Sequence, residues 1–140
     1  PSLDQSETNE AINSVQMFID RYPETKYMDS CNQIIDMLRL KLETKEYSHV
    51  TLYSKTENYR AAVSSAEIFS ENYPSSEFSE EVFYLMVKNS YYLAINSVES
   101  KKSQRFEDTY ERMRNFEAVF NNSKYSKELQ ILLSRLEINE

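Results

Sequence analysis

Not one of the 140 residues is glycine. Phosphate-cradling loops, dinucleotide fingerprints, nucleophile elbows and type I′ hairpins all rely on a residue that reaches positive φ or lets a backbone approach closely. A chain without glycine builds none of these in its usual form. Proline is nearly as sparse, at positions 1, 23 and 74 only. What remains is an all-α chain, long enough to bury a core without disulfides or a structural metal.

Sixteen basic against 23 acidic residues leave a net charge of −7, which repels phosphate backbones and sets nucleic acid aside as a partner. Cys31 has no second cysteine to pair with, and His49, the single histidine, does not make a zinc site that needs about four ligands. Cys31 heads an apolar stripe and reads as packing, and His49 as a surface or interface residue. No apolar run approaches the ~20 residues of a membrane-spanning helix, and Pro1 to Gln5 lack signal character, so the chain reads as soluble. The carboxylates Glu80-Glu81 and Glu107-Asp108-Glu111 fall in the first turns of predicted helices, where the helix dipole accounts for them without acid–base chemistry. The chain is read as no enzyme, with no catalytic residue, no cofactor and no metal.

Eleven tyrosines and seven phenylalanines fall in a repeat. Ala11, Val15, Phe18, Tyr22, Pro23, Thr25 and Tyr27 recur 51 residues later as Ala62, Ala66, Phe69, Tyr73, Pro74, Ser76 and Phe78. A third copy, 47 residues further on, reads Thr109, Met113, Phe116, Phe120, Asn121, Ser123 and Tyr125. Each copy opens with the four-three-four spacing that lays side chains along one helix face. Proline then stops the helix. Thr25, Ser76 and Ser123 are placed to cap the next one, with Tyr27, Phe78 and Tyr125 in its first turn. The loss of proline and of the small alanine predicts a less regular third hairpin.

Between the copies, Cys31, Ile34, Ile35, Leu38 and Leu42 form one stripe, continued by Tyr47, Val50 and Tyr53 beyond the polar Glu43–Glu46 interval. Residues 27–56 therefore read as one long bent helix or as two, with two favoured. The next helix is apolar on two sides, one with Val82, Leu85, Met86, Asn89 and Leu93, the other with Phe83, Val87, Tyr91, Ala94 and Val98. Such an element sits between neighbours in a stack. Leu129, Leu132, Leu133 and Leu136 mark a closing helix. Phe83, Tyr84 and Tyr92 are the aromatics expected to be exposed and to offer an interface.

Stacked hairpins of this kind resemble tetratricopeptide repeats, and the copy ending at Pro74 carries the marks Tyr53, Tyr59 and Ala62, although the spacing exceeds the usual ~34 residues. The expected architecture is a right-handed superhelix in a single repeat domain, 1–140. It divides into a partial hairpin at 1–26, a second hairpin with a long first helix at 27–77, and a third hairpin plus closing helix at 78–140.

Other stretches are more specific. Ser2-Leu3-Asp4-Gln5, Lys45-Glu46-Tyr47 leading to Leu52-Tyr53, the run Val87 to Tyr91 and the run Asn96 to Lys102 resemble the BamD family of tetratricopeptide lipoproteins. The resemblance covers essentially the whole chain and corresponds to the family's C-terminal three repeats. It implies a non-catalytic scaffold of the outer-membrane β-barrel assembly machinery, at the periplasmic face of the outer membrane. The lipid anchor would be N-terminal and outside this chain. The implied partners are the POTRA domains of BamA, other assembly lipoproteins and unfolded outer-membrane proteins. The family's basic docking residue aligns with Lys41, and Lys45 and Tyr47 follow on the same helical stretch. A generic periplasmic tetratricopeptide adaptor and a glycan-capturing lipoprotein are the alternatives.

Overall fold

The computed structural model describes residues 5–139; Ser2, Leu3 and Asp4, part of the resemblance above, lie outside the described residues. The described residues form α1 (Gln5–Arg21), α2 (Met28–Lys55), α3 (Tyr59–Asn72), α4 (Ser79–Ile95), α5 (Glu99–Val119) and α6 (Ser126–Asn139), with no strand among them. They pack as two compact units, Pro1–Lys45 and Glu46–Glu140.

The favoured break inside residues 27–56 is absent: α2 is one helix of 28 residues. Glu43, Lys45 and Glu46 are good helix formers, and no glycine or proline interrupts them. Their polarity does not interrupt the helical backbone.

All three copies of the repeat end alike. The N–H of Tyr22 donates to the Phe18 carbonyl at 2.9 Å, that of Tyr73 to Phe69 at 2.8 Å, and that of Phe120 to Phe116 at 2.8 Å. The rings of each pair lie 5.3, 5.2 and 5.4 Å apart and are tilted by 49°, 48° and 43°. The third copy is thus as regular as the others in its ring geometry. Its departure is confined to the turn, where Asn122 takes φ 60°, a conformation asparagine tolerates better than most residues.

The hydroxyls expected to cap the following helices do accept hydrogen bonds. They receive the N–H two residues on, from Tyr27 to Thr25 (3.2 Å), Phe78 to Ser76 (3.0 Å) and Tyr125 to Ser123 (3.1 Å). The N–H three residues on reaches the same residue's carbonyl in each case. This tight turn precedes each helix, so Tyr27, Phe78 and Tyr125 stand just ahead of α2, α4 and α6 instead of inside their first turns.

In the second unit, α4 serves two cores. Val82 and Met86 pack with Val50, Val63, Ala66 and Phe69. Tyr84, Val87, Tyr91 and Ala94 pack with Phe106, Met113, Phe116 and the leucines of α6. Asn89, buried between them, is satisfied by donating to the Leu85 carbonyl (2.7 Å) and to Ser54 Oγ (3.1 Å). Val98 is not part of α4. Asn96 and Ser97 turn their side chains back onto the Tyr92 and Leu93 carbonyls, the helix ends at Ile95, and Val98 is exposed ahead of α5. Because α5 starts at Glu99, the Glu107-Asp108-Glu111 cluster lies well inside the helix and not in its first turn. Thr109, in the place of Ala62, is fully buried and donates to the Arg105 carbonyl at 2.8 Å.

Candidate docking surface

Among the described residues of the first unit, Thr8, Cys31 and Ile35 are buried. Ile34, assigned by its periodicity to the same inner stripe, is 44% exposed, and Met37 and Leu40 are 69% and 51% exposed. Lys41 is exposed on this helix and forms no ion pair among the described residues. Its neighbour one turn on, Lys45, is half-buried. The apolar residues beside Lys41 were legible only as hydrophobic positions. Met37 lies three residues beyond Ile34 and Lys41 four beyond Met37, so the three share a face, and this phase was the available signal.

Tyr47, expected alongside these lysines as a partner-binding residue, is engaged inside the second unit. Its ring stacks on Phe78, with centroids 4.2 Å apart and planes at 14°, and its hydroxyl donates to a Glu81 carboxylate oxygen. Burial, followed by the hydrogen bond and the negative charge of Glu81, pushes the phenol up to about 12. The same arrangement recurs one repeat later. Tyr84 stacks on Tyr125 at 4.1 Å and 12°, and Lys88 donates to the Tyr84 phenol oxygen (3.1 Å) and to Glu128 (3.4 Å). Glu81 and Glu128 each lie three residues beyond the stacked ring of the turn, at Phe78 and Tyr125. Glu81 thus links its helix directly to the Tyr47 ring, a role beyond the dipole interaction read from sequence, and Glu128 links its helix to Tyr84 through Lys88. Burial raises the Tyr84 phenol, with hydrogen bonding to Glu128 adding to this and Lys88 opposing it. Burial works against the Lys88 charge, but Tyr84 and Glu128 outweigh it and hold the ammonium above its ordinary value.

The aromatic interface expected at Phe83, Tyr84 and Tyr92 is not exposed. Tyr84 is buried under Tyr125, and Phe83 meets Phe116 and Phe120 edge-on. Tyr92 stacks on Tyr59 at 5.3 Å. These residues face inward because α4 is covered on more sides than a single helical stripe allows. Exposed aromatics occur instead in the first copy of the repeat, where Phe18, Tyr22 and Tyr27 flank a shallow cavity of 610 Å³ with Arg21, Pro23 and Glu24. Their counterparts Phe69 and Phe116 are fully buried.

Among the described residues no group of three or more histidine, cysteine or acidic side chains could hold a metal, and no helix is long and apolar enough to cross a membrane. His49 is exposed, its ring 6.5 Å from that of Tyr53.

Residues 2–105 match the family model described as YfiO, outer membrane lipoprotein. The chain is 31% identical over 99 residues to the outer membrane protein assembly factor BamD of Rickettsia prowazekii (strain Madrid E). The aligned region is 71% of this chain and 39% of that relative, so the chain spans well under half the length of the curated protein it matches. The family match contains α1 to α4 and the exposed face of α2 that carries Lys41, and on this match the chain belongs to the YfiO family of outer membrane lipoproteins.

Proposed function

We propose that the chain is a non-catalytic scaffold segment of the outer-membrane β-barrel assembly machinery, docking on POTRA domains of BamA and helping outer-membrane proteins to insert. It works at the periplasmic face of the outer membrane, tethered through a lipid anchor elsewhere in the full-length lipoprotein. Its mechanism is presentation: helical hairpins hold a partner domain in one orientation, and no bond is made or broken. Residues 1–26, 27–77 and 78–140 act as successive repeats in this reading. Other lipoproteins of the machinery and unfolded outer-membrane proteins are the further partners.

The observation that carries the docking role is Lys41, an exposed cation without an ion pair among the described residues, inside the stretch that matches the family. A partner carboxylate meeting it forms a charge-assisted hydrogen bond that the free chain does not already make. Lys45, one turn on, adds to the positive potential. Tyr47 is engaged within the second unit, where it stacks on Phe78 and donates to Glu81. Charge reversal, Lys41→Glu, is expected to weaken binding to the soluble POTRA domains of the cognate BamA about tenfold while the helical circular dichroism stays unchanged. Unaltered affinity would remove Lys41 from the interface.

A further inference from the structure

The aromatic positions of the repeat are covered in two copies and open in one. Phe69 and Phe116 are fully buried, and Tyr73, Phe78, Phe120 and Tyr125 are half-buried. In the first copy Phe18, Tyr22 and Tyr27 are 38%, 50% and 53% exposed, around the cavity of 610 Å³ that Arg21 and Pro23 also line. In the later copies a covering ring comes from the helix just before the one that carries the copy. Tyr47 of α2 lies on Phe78, which follows α3, and Tyr84 of α4 lies on Tyr125, which follows α5. The helix that holds this place for Tyr27 would precede α1. The aligned region is 39% of the curated relative, which leaves length for such a helix.

Tyr27 is prepared for the same contact. Its N–H donates to Thr25 as that of Tyr125 does to Ser123, so the two rings leave their turns alike. The Lys26 ammonium lies over the Tyr27 ring at 5.1 Å, and that of Lys124 over Tyr125 at 5.2 Å. Tyr125 carries the Tyr84 ring as well, whereas Tyr27 has the cation and, among the described residues, no stacked ring. Ser30 replaces the glutamate found three residues beyond Phe78 and Tyr125, so this joint offers no carboxylate to a phenol and relies on the stack. A ring half in water gains apolar burial and the attraction of a paired ring when another lies flat on it.

We propose that Tyr27, with Phe18 and Tyr22, forms a socket for one aromatic side chain of the helix that precedes α1 in the full-length lipoprotein, stacked flat on the Tyr27 ring. Tyr47 stands 31 residues before Phe78 and Tyr84 stands 41 before Tyr125, which places the incoming ring 31 to 41 residues before Tyr27. The socket joins the chain to its own preceding segment and is independent of the docking role of Lys41.

The test is nitration of the full-length lipoprotein with tetranitromethane, read tyrosine by tyrosine by mass spectrometry. Tyr27 is expected to react within about twofold of the rate of Tyr125. Alanine in place of one aromatic of that window is expected to speed nitration of Tyr27 about fivefold and leave Tyr125 unchanged, the sign that the later hairpins stay folded. Should alanine expose Tyr125 too, leucine in its place keeps apolar volume and is expected to speed Tyr27 about twofold with Tyr125 unchanged. Fast nitration of Tyr27 in the wild type would overturn the proposal, as would a window without an aromatic or protection that no substitution within it relieves. Protection lost on dilution would assign the socket to a second copy and overturn it as well.

Discussion

The ring of Tyr84 lies flat on that of Tyr125, with centroids 4.1 Å apart and planes at 12°. It repeats, one hairpin on, the stack of Tyr47 on Phe78 at 4.2 Å and 14°. Each stack forms a joint at its turn with the glutamate three residues beyond the turn aromatic, Tyr47 donating directly to Glu81 and Tyr84 linked to Glu128 through Lys88.

Removing one ring of the joint tests it. Tyr125→Ala is expected to destabilise the chain by about 2 kcal/mol, combining lost apolar burial with the extra attraction of a paired ring. Tyr125→Phe keeps the ring and is expected to cost under about 0.5 kcal/mol. Urea denaturation followed by circular dichroism measures both.

The same motif position has different worth in different copies. Phe69 and Phe116 are fully buried, whereas Phe18 is 38% exposed. In the 140-residue chain, Phe69→Ala and Phe116→Ala are each expected to cost about 3–5 kcal/mol. Phe18→Ala is expected to cost under about 1.5 kcal/mol. Equal losses at all three positions in chemical denaturation would refute this ordering.

Sequence and structure agree on the repeat and part over its surroundings. The Phe-x-x-x-Tyr/Phe ending was legible because periodicity of helical contacts and a helix-stopping proline are local properties. Which aromatics end up covered is not local. Phe83, Tyr84 and Tyr92 looked like surplus on an already apolar helix, but α4 is enclosed by α3, α5 and α6. Ile34 looked like core, yet no neighbour in its unit covers it. The same limit hid Glu81: its link to Tyr47 joins residues 34 apart in sequence.

Stability should fall in alkali through Tyr47. Its folded pKa, raised to about 12 from an ordinary value of 10.0, lies above that of the unfolded chain. Its contribution is therefore complete below about pH 10 and is lost as pH rises toward 12. Tyr47→Phe is expected to be less stable than wild type at pH 7, by about 1 kcal/mol for the missing bond to Glu81. The gap should narrow between pH 10 and 12. A gap that is constant with pH, in denaturation midpoints measured side by side, would contradict the coupling.

Glu57 takes φ 59° in the turn between α2 and α3, a left-handed backbone that costs a residue with a Cβ more than it costs glycine. Glu57→Gly relieves a cost of about 1–2 kcal/mol, partly offset by the greater freedom of glycine when unfolded. A net gain of about 0.5–1 kcal/mol is expected, seen as a higher Tm in differential scanning calorimetry.

Docking through α2 is checked by calorimetric titration of the full-length lipoprotein with the soluble POTRA domains of its cognate BamA. Saturable one-to-one binding with a negative heat-capacity change is expected, weakened about tenfold by Lys41→Glu. No heat of binding from a folded, fully helical protein, or equal affinity for wild type and Lys41→Glu, would contradict it.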